Sequence, residues 1–147
     1  MLYIASDHAG FQLKKDLAAY IKTQLNKEIE DMGPTAFLEN DDFPDYAIPL
    51  AKEVAKHKDN FGILICGTGQ GMCIAANKIK GAYAIMGYNI SATDLGRRHN
   101  NANILCLPAN PASLDFAHAI VKKFLETKFD GDERFVRRNQ KIADLER

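Results

Sequence analysis

Phe61-Gly62-Ile63-Leu64-Ile65-Cys66-Gly67-Thr68-Gly69-Gln70-Gly71-Met72 decides how the chain is read. Ile63 to Ile65 form a short apolar run bounded by glycine, the pattern of a strand buried on both faces of a parallel sheet. The run stops at a thiol, passes three glycines at alternate positions, and enters Ile74-Ala75-Ala76-Asn77-Lys78, which is helical in composition. Strand, glycine turn and helix place the turn at the carboxyl end of a strand, where open α/β sheets hold ligands. Amides that open the helix face this turn and favour negative charge there. Cys66 therefore stands where a thiolate, an oxyanion or a phosphate would be stabilised. The turn is not the dinucleotide fingerprint, which needs glycine where Met72 stands, nor a P-loop, which needs lysine after its last glycine. Its plain alternative is a tight turn beside a buried structural cysteine.

Outward from this centre, apolar runs and helical patterns alternate. Leu2 to Ala5 is a short strand that ends at Ser6-Asp7-His8-Ala9-Gly10, and a helix follows from Phe11 to Asn26. A weak second strand, 28–32, stops at Gly33-Pro34, and a long loop over 33–44 leads to a helix through about Lys56, with Asp45 as the expected cap. Beyond the centre lie a fourth strand (82–87), a helix (91–99), a fifth strand (103–107), a long amphipathic helix (112–127) and a last helix (133–146). Five strand–helix alternations predict one α/β domain over 1–147, a three-layer Rossmann-like fold with a five-stranded parallel sheet and an extra C-terminal helix.

Composition narrows the function. Nineteen basic and nineteen acidic residues cancel, so nothing invites nucleic acid or an acidic membrane. No apolar run approaches the ~20 residues that span a bilayer. The N-terminus lacks a basic region and cleavage site, and three cysteines fit neither a disulfide framework nor a zinc site, so a reducing cytoplasm is expected.

The polar residues are expected at strand ends: Asp7-His8 after strand one, Cys66-Gly67-Thr68 after strand three, and His99-Asn100 closing the helix after strand four. Alone, Asp7-His8 reads equally as a capping pair, and His99 as a cation at a helix C-terminus. Arg134 and Arg138, four apart, share a helix face and suit phosphate, although a solvated stripe is the commoner role. Together they supply a base or nucleophile, an oxyanion nest, a histidine acid/base and a phosphate clamp, without metal ligands.

Ser6-Asp7-His8-Ala9-Gly10, Asp42-x-Pro44-x-Tyr46-Ala47, Cys66-Gly67-Thr68-Gly69-x-Gly71, Ala75-Ala76-Asn77-Lys78 and His99-Asn100-x-Ala102-Asn103 resemble the type B ribose-5-phosphate isomerases. These share a family with the galactose-6-phosphate isomerase subunits. The resemblance runs nearly the whole chain, and it implies a cofactor-free enzyme with active sites at the interface of a homodimer, or of a tetramer built from dimers. It implies that Cys66 moves the substrate proton and that Gly67, Thr68, Gly69, Gln70 and Gly71 bind the enediolate. Asp7, His8, Asp42 and Asn100 are then substrate contacts, His99 helps to open the sugar ring, and Arg134 with Arg138 hold phosphate. A second branch of the family has glycine at the cysteine position and a glutamate base after the last glycine; Cys66 and Met72 place this chain in the cysteine branch. It departs from the pattern at Phe43, where tyrosine is common, and at Asn110, where an arginine joins the phosphate site; Arg98 or Arg137 are the candidate replacements.

The chemistry agrees with the residues. Aldose–ketose isomerisation needs a base that moves a proton between neighbouring carbons and donors that hold the enediolate between. Free cysteine, at a pKa of ~8.5 and lower beside a helix N-terminus, is near enough to neutrality to serve. A pentose phosphate arrives mostly as a closed ring, hence the second acid/base. Interconversion of ribose 5-phosphate and ribulose 5-phosphate is the leading expectation. The alternatives are another aldose phosphate (allose or galactose 6-phosphate) and a non-catalytic phosphosugar-binding module. The C-terminal helix has few apolar residues and is expected to pack on a partner subunit.

Overall fold

The computed structural model describes residues 1–146. Five strands, β1 (Leu2–Ser6), β2 (Glu30–Asp31), β3 (Phe61–Cys66), β4 (Ala84–Met86) and β5 (Ile104–Pro108), form one parallel sheet in the order β2-β1-β3-β5-β4. Six helices connect or follow them: α1 (Phe11–Thr23), α2 (Pro44–Ala55), α3 (Gln70–Ala76), α4 (Ile90–Asn100), α5 (Leu114–Glu126) and α6 (Glu133–Ala143).

Alternation along the strands sends side chains to two cores. Ile4, Ile63, Ile65, Leu105 and Leu107 meet Leu13, Leu17 and Ile21 of α1 and Ile120, Val121 and Phe124 of α5. On the opposite face Ala5, Leu64, Cys66, Ile104 and Cys106 meet Leu50, Ala51 and Val54 of α2 and Met72 and Ala76 of α3. Each large aliphatic or aromatic side chain buried this way contributes roughly 1.5–3 kcal/mol. The sheet is thus covered on both sides, as its unbroken apolar strands require.

The chain leaves β1 towards β2 on one side and returns to β3 on the other, so the topological switch lies between β1 and β3. Ser6 is in register with Ile65, and the Asp7 amide donates to the Ile65 carbonyl at 3.1 Å. Asp7, His8 and Cys66 therefore share one end of the sheet at the crevice where such sheets bind ligands.

Several boundaries differ from the sequence reading. β2 pairs only at Glu30 and Asp31, because an exposed edge strand gains little from burial. α2 begins at Pro44 with Phe43 as its flanking residue, not Asp45; proline at the first position has no amide to leave unpaired. α4 begins at Ile90, and Asn89 caps it by accepting from the Ala92 amide at 2.7 Å. Among the described residues no helix is long and apolar enough to cross a membrane.

α6 packs on its own chain. Phe135 is buried against the His99 ring, with centroids 4.1 Å apart, and Asn139 Nδ2 donates to the His99 carbonyl at 2.8 Å. Asp132 caps the helix by accepting from the Arg134 amide. Beyond it, Glu146 accepts from the Gly81 amide at 3.1 Å. One buried ring and one cap are enough to hold an 11-residue helix that would be marginal alone. Val136, Ile142 and Leu145 stay exposed.

Candidate active site

Cys66 closes β3 and is buried, and its sulfur accepts from the Gly69 amide at 3.2 Å. The three cysteines are all free thiols. Gly69 has φ +80°, and a methyl group there would meet the Leu107 backbone at 2.9 Å, so only glycine completes this turn. Thr68 Oγ1 accepts from the Gln70 amide at 3.3 Å, which ties the hydroxyl into the turn. Gly67, Thr68 and Gln70 are exposed. α3 is only seven residues long and its N-cap residue, Gly69, has no side chain, so the Gly71 and Met72 amides of its first turn have no capping side chain. Gly71 makes a close approach of a different kind: a methyl group there would meet the tip of the exposed Phe43 ring at 2.7 Å.

The loop after β1 lies beside this turn. Asp7 is buried and its Oδ1 accepts from the Gly10 amide at 3.2 Å, which closes the turn before α1; Gly10 is the cap residue and α1 has no side-chain cap, so Asp7 does not take the capping role. His8 is half-buried, and Asp41 binds it twice: Oδ1 accepts from the His8 amide at 2.8 Å and faces Nδ1 at 2.7 Å. That side-chain hydrogen bond, with the charges of Asp7, Asp41 and Glu39, raises His8 above its ordinary value. Burial would raise Asp41, but the His8 amide and ring hold it below the usual carboxylate range. Asp7, His8 and Asp41 offer ligand atoms within 4.8 Å of one another, a spacing that a metal ion could also use; here one hydrogen bond already joins two of the three.

Asp42, singled out by the sequence, is exposed, and Asp41 is the carboxylate that reaches His8. Nothing in the Asp-Asp pair tells them apart. Only the path of the loop does, anchored by the buried Lys14 ammonium, which donates to Asp31 at 2.8 Å and to the Pro34 carbonyl at 2.6 Å.

His99, Asn100, Arg134 and Arg138 lie elsewhere. α4 leaves the carboxyl end of β4 and runs back, so its C-terminus lies beside Tyr83 and Asn103, at the amino ends of β4 and β5. Eleven residues span about 16 Å. The expectation that His99-Asn100 joins Cys66 at the strand ends within one chain is therefore corrected: a helix after a strand returns its last residues to the opposite edge. There His99 stacks on Phe135, with the guanidinium carbons of Arg134 and Arg138 4.7 and 6.0 Å from that ring's centre. Asn100 lines a cleft of about 220 Å³ between α4 and α6.

Both candidate replacements for arginine at position 110 lie at the end of the molecule that carries Arg134 and Arg138. Arg98 is held by Asp130 at 3.1 Å and faces Asp94 at 3.6 Å, on the far edge, and Arg137 is exposed on α6. Asn110 itself borders an apolar cavity of about 260 Å³ with Tyr88, Leu107 and Phe116. A larger cleft of about 420 Å³ by Met1, Lys22 and Glu28 contains none of the candidate residues.

The molecule thus carries two separate groups: a thiol, a glycine turn and a histidine–aspartate pair at one end of the sheet, and a histidine with two arginines at the other. Comparison with known proteins places the chain as a whole. The family model described as Ribose/Galactose Isomerase matches residues 2–142. A probable ribose-5-phosphate isomerase B of Mycoplasma genitalium is 44% identical, covering 99% of this chain and 95% of the relative. The ribose-5-phosphate isomerase B of Mycolicibacterium paratuberculosis is 34% identical, with 99% and 91% covered. The crystal structure of the Mycoplasma genitalium enzyme with bound ribulose-5-phosphate superposes with a TM-score of 0.93 at 43% identity, covering 99% of this chain and 95% of that one.

Proposed function

The chain belongs to the ribose/galactose isomerase family, and from that premise we propose that it interconverts ribose 5-phosphate and ribulose 5-phosphate, with Cys66 as the proton-transferring base. It is an aldose–ketose isomerase of phosphorylated sugars. The observation that carries the reading is the Cys66 sulfur, set in the glycine turn at the β1/β3 switch with the Gly69 amide on it.

The active unit in this proposal is a homodimer that joins unlike halves. The partner subunit's Arg134 and Arg138 take the phosphate, where arginine forks match its geometry, and the partner subunit's His99 moves the proton that opens the furanose. Cys66 then removes the proton at C2 and returns it to C1. The enediolate is held by amides of 67–71, each such donor being worth about 3 kcal/mol in other enzymes. Asp7 and His8, with the partner subunit's Asn100, contact the sugar, and Thr68 adds its hydroxyl. Two features support the dimer: Gly67, Thr68 and Gln70 of the glycine turn are exposed, and so are the apolar side chains of Val136 and Ile142 on α6 and of Leu145 just beyond it. The domain is single over 1–147, its chemistry needs no cofactor, and the free thiols suit the cytoplasm.

A coupled assay of the purified protein across phosphorylated pentoses and hexoses tests the substrate. We expect kcat/KM for ribose 5-phosphate to exceed that for allose or galactose 6-phosphate by roughly tenfold or more, the scale that one extra carbon in a fitted pocket imposes. The reverse order would move the assignment to a hexose phosphate. Binding without turnover of any sugar would make the protein a phosphosugar-binding module.

A further inference from the structure

Asp41 lies 33 residues from His8 in sequence yet makes two contacts with it through a single oxygen, to the backbone amide and to Nδ1. Its side chain is 8% exposed, while that of His8 is 36% exposed. Two residues on, the Phe43 ring is pressed against Gly71 of the glycine turn. Residues 41 and 43 are at most about 7 Å apart, so one short span ties His8 to the turn beside Cys66. Phe37, earlier in the same loop, meets the rings of His8 and Phe11 edge-on at 6.4 and 6.1 Å.

We infer that Asp41 is a positioning residue of the active site: its carboxylate fixes the His8 ring and keeps it a donor at Nε2, turned towards the phosphorylated sugar. With Nδ1 occupied by Asp41, a neutral ring could only accept at Nε2, whereas the protonated ring donates from both nitrogens. Hydroxyl and phosphoryl oxygens of a sugar phosphate call for the donor form. The groups facing His8 all favour it: Asp7 from the β1 end, and Glu39 and Asp41 from the loop. Asp41 Oδ2 is buried without a hydrogen bond of normal geometry, and the Tyr46 hydroxyl on α2 helps to hold that carboxylate charged. The carboxylate is therefore committed to His8 and is not itself a substrate contact.

The sign of the pH dependence follows. His8 is raised, so the donor form is complete below the ordinary imidazole value of about 6.5 and persists above it until the raised value is passed. Without Asp41 the donor form is lost near neutrality and regained in acid.

The test pairs a direct reading with a kinetic one, because a kinetic profile alone would mix His8 with other groups of the site. The His8 ring signal, assigned by its loss in His8→Asn, is titrated by NMR in the wild type and in Asp41→Asn. We expect a wild-type midpoint above about 6.5 and a fall towards that value in Asp41→Asn. KM for ribose 5-phosphate should rise about tenfold in Asp41→Asn at pH 8, the scale of one charge-assisted hydrogen bond, and return to within about twofold of wild type at pH 6. A KM penalty equal at both pH values, or an unchanged His8 midpoint, would overturn the inference. If Asp41→Asn does not fold, a wild-type midpoint at or below 6.5 overturns it and one above supports it. The kinetic arm rests on the isomerase reading. The NMR arm does not, so failure of one is distinguishable from failure of the other.

Discussion

Cys66→Ala is expected to lower isomerase turnover by roughly 10³-fold or more, which is the range of a lost general base and about 4 kcal/mol of barrier. Binding of ribose 5-phosphate should stay within about twofold, because a thiol adds little to ground-state affinity and interactions made only in the transition state act on kcat. The sulfur is buried beneath a turn whose shape is set by Gly69 and Leu107 backbone atoms, so removing it leaves the donors in place. In deuterated water the wild type should wash solvent deuterium into recovered sugar, and the variant should not. Exchange at a near wild-type rate in Cys66→Ala would sink the assignment. Alkylation is a useful companion if substrate protection is measured. Cys73 is partly exposed, and its hydrogen bond with Cys106 holds it below the usual thiol range, so it competes for reagent. Cys106, raised by burial, does not. Protection by ribose 5-phosphate should concern Cys66.

The second large effect is directional. His99→Asn should lower the forward rate on ribose 5-phosphate by about 10²-fold or more, yet largely spare the reverse reaction. Ribulose 5-phosphate has its only ring-forming hydroxyl blocked by phosphate, so it needs no ring opening. Asparagine keeps much of the stacking surface that Phe135 covers, and the Asn139 bond to residue 99 goes to the backbone carbonyl, so α6 should stay docked. Thermal unfolding of the variant checks this. Equal losses in both directions would move His99 from ring opening to the proton-transfer step.

The parts of this molecule that burial dictates were legible in its residues. Ile63 to Ile65 could only be a doubly buried strand, and the spacing of Cys66, Gly67, Gly69 and Gly71 marked a turn at its carboxyl end. Such a pattern depends on local chain geometry, which the sequence expresses directly. The loop over 33–44 was legible only as a loop. Its course depends on the buried Lys14 ammonium and on Phe43 meeting Gly71, contacts between residues far apart that no periodicity records. The motif Asp42-x-Pro44-x-Tyr46 points to Asp42 and says nothing of its neighbour Asp41, which carries the bond to His8. The placing of His99 is different in kind, since the alternation itself requires a helix after β4 to return to the opposite edge. The signal was present in the topology, and it follows from counting one helix of 11 residues. What topology alone does not supply is the second chain that would bring such an edge to Cys66.

That second chain is the central claim, and subunit complementation measures it most directly. Cys66→Ala and His99→Asn chains are co-expressed with different tags, and the species that carries both tags is isolated and assayed on ribose 5-phosphate. In a symmetric dimer with shared sites, the mixed pair has one site with both defects and one with neither, so it should recover roughly half of the wild-type activity per dimer. A mixed dimer no more active than the two parent variants, or no species that carries both tags, would contradict a site built from two subunits.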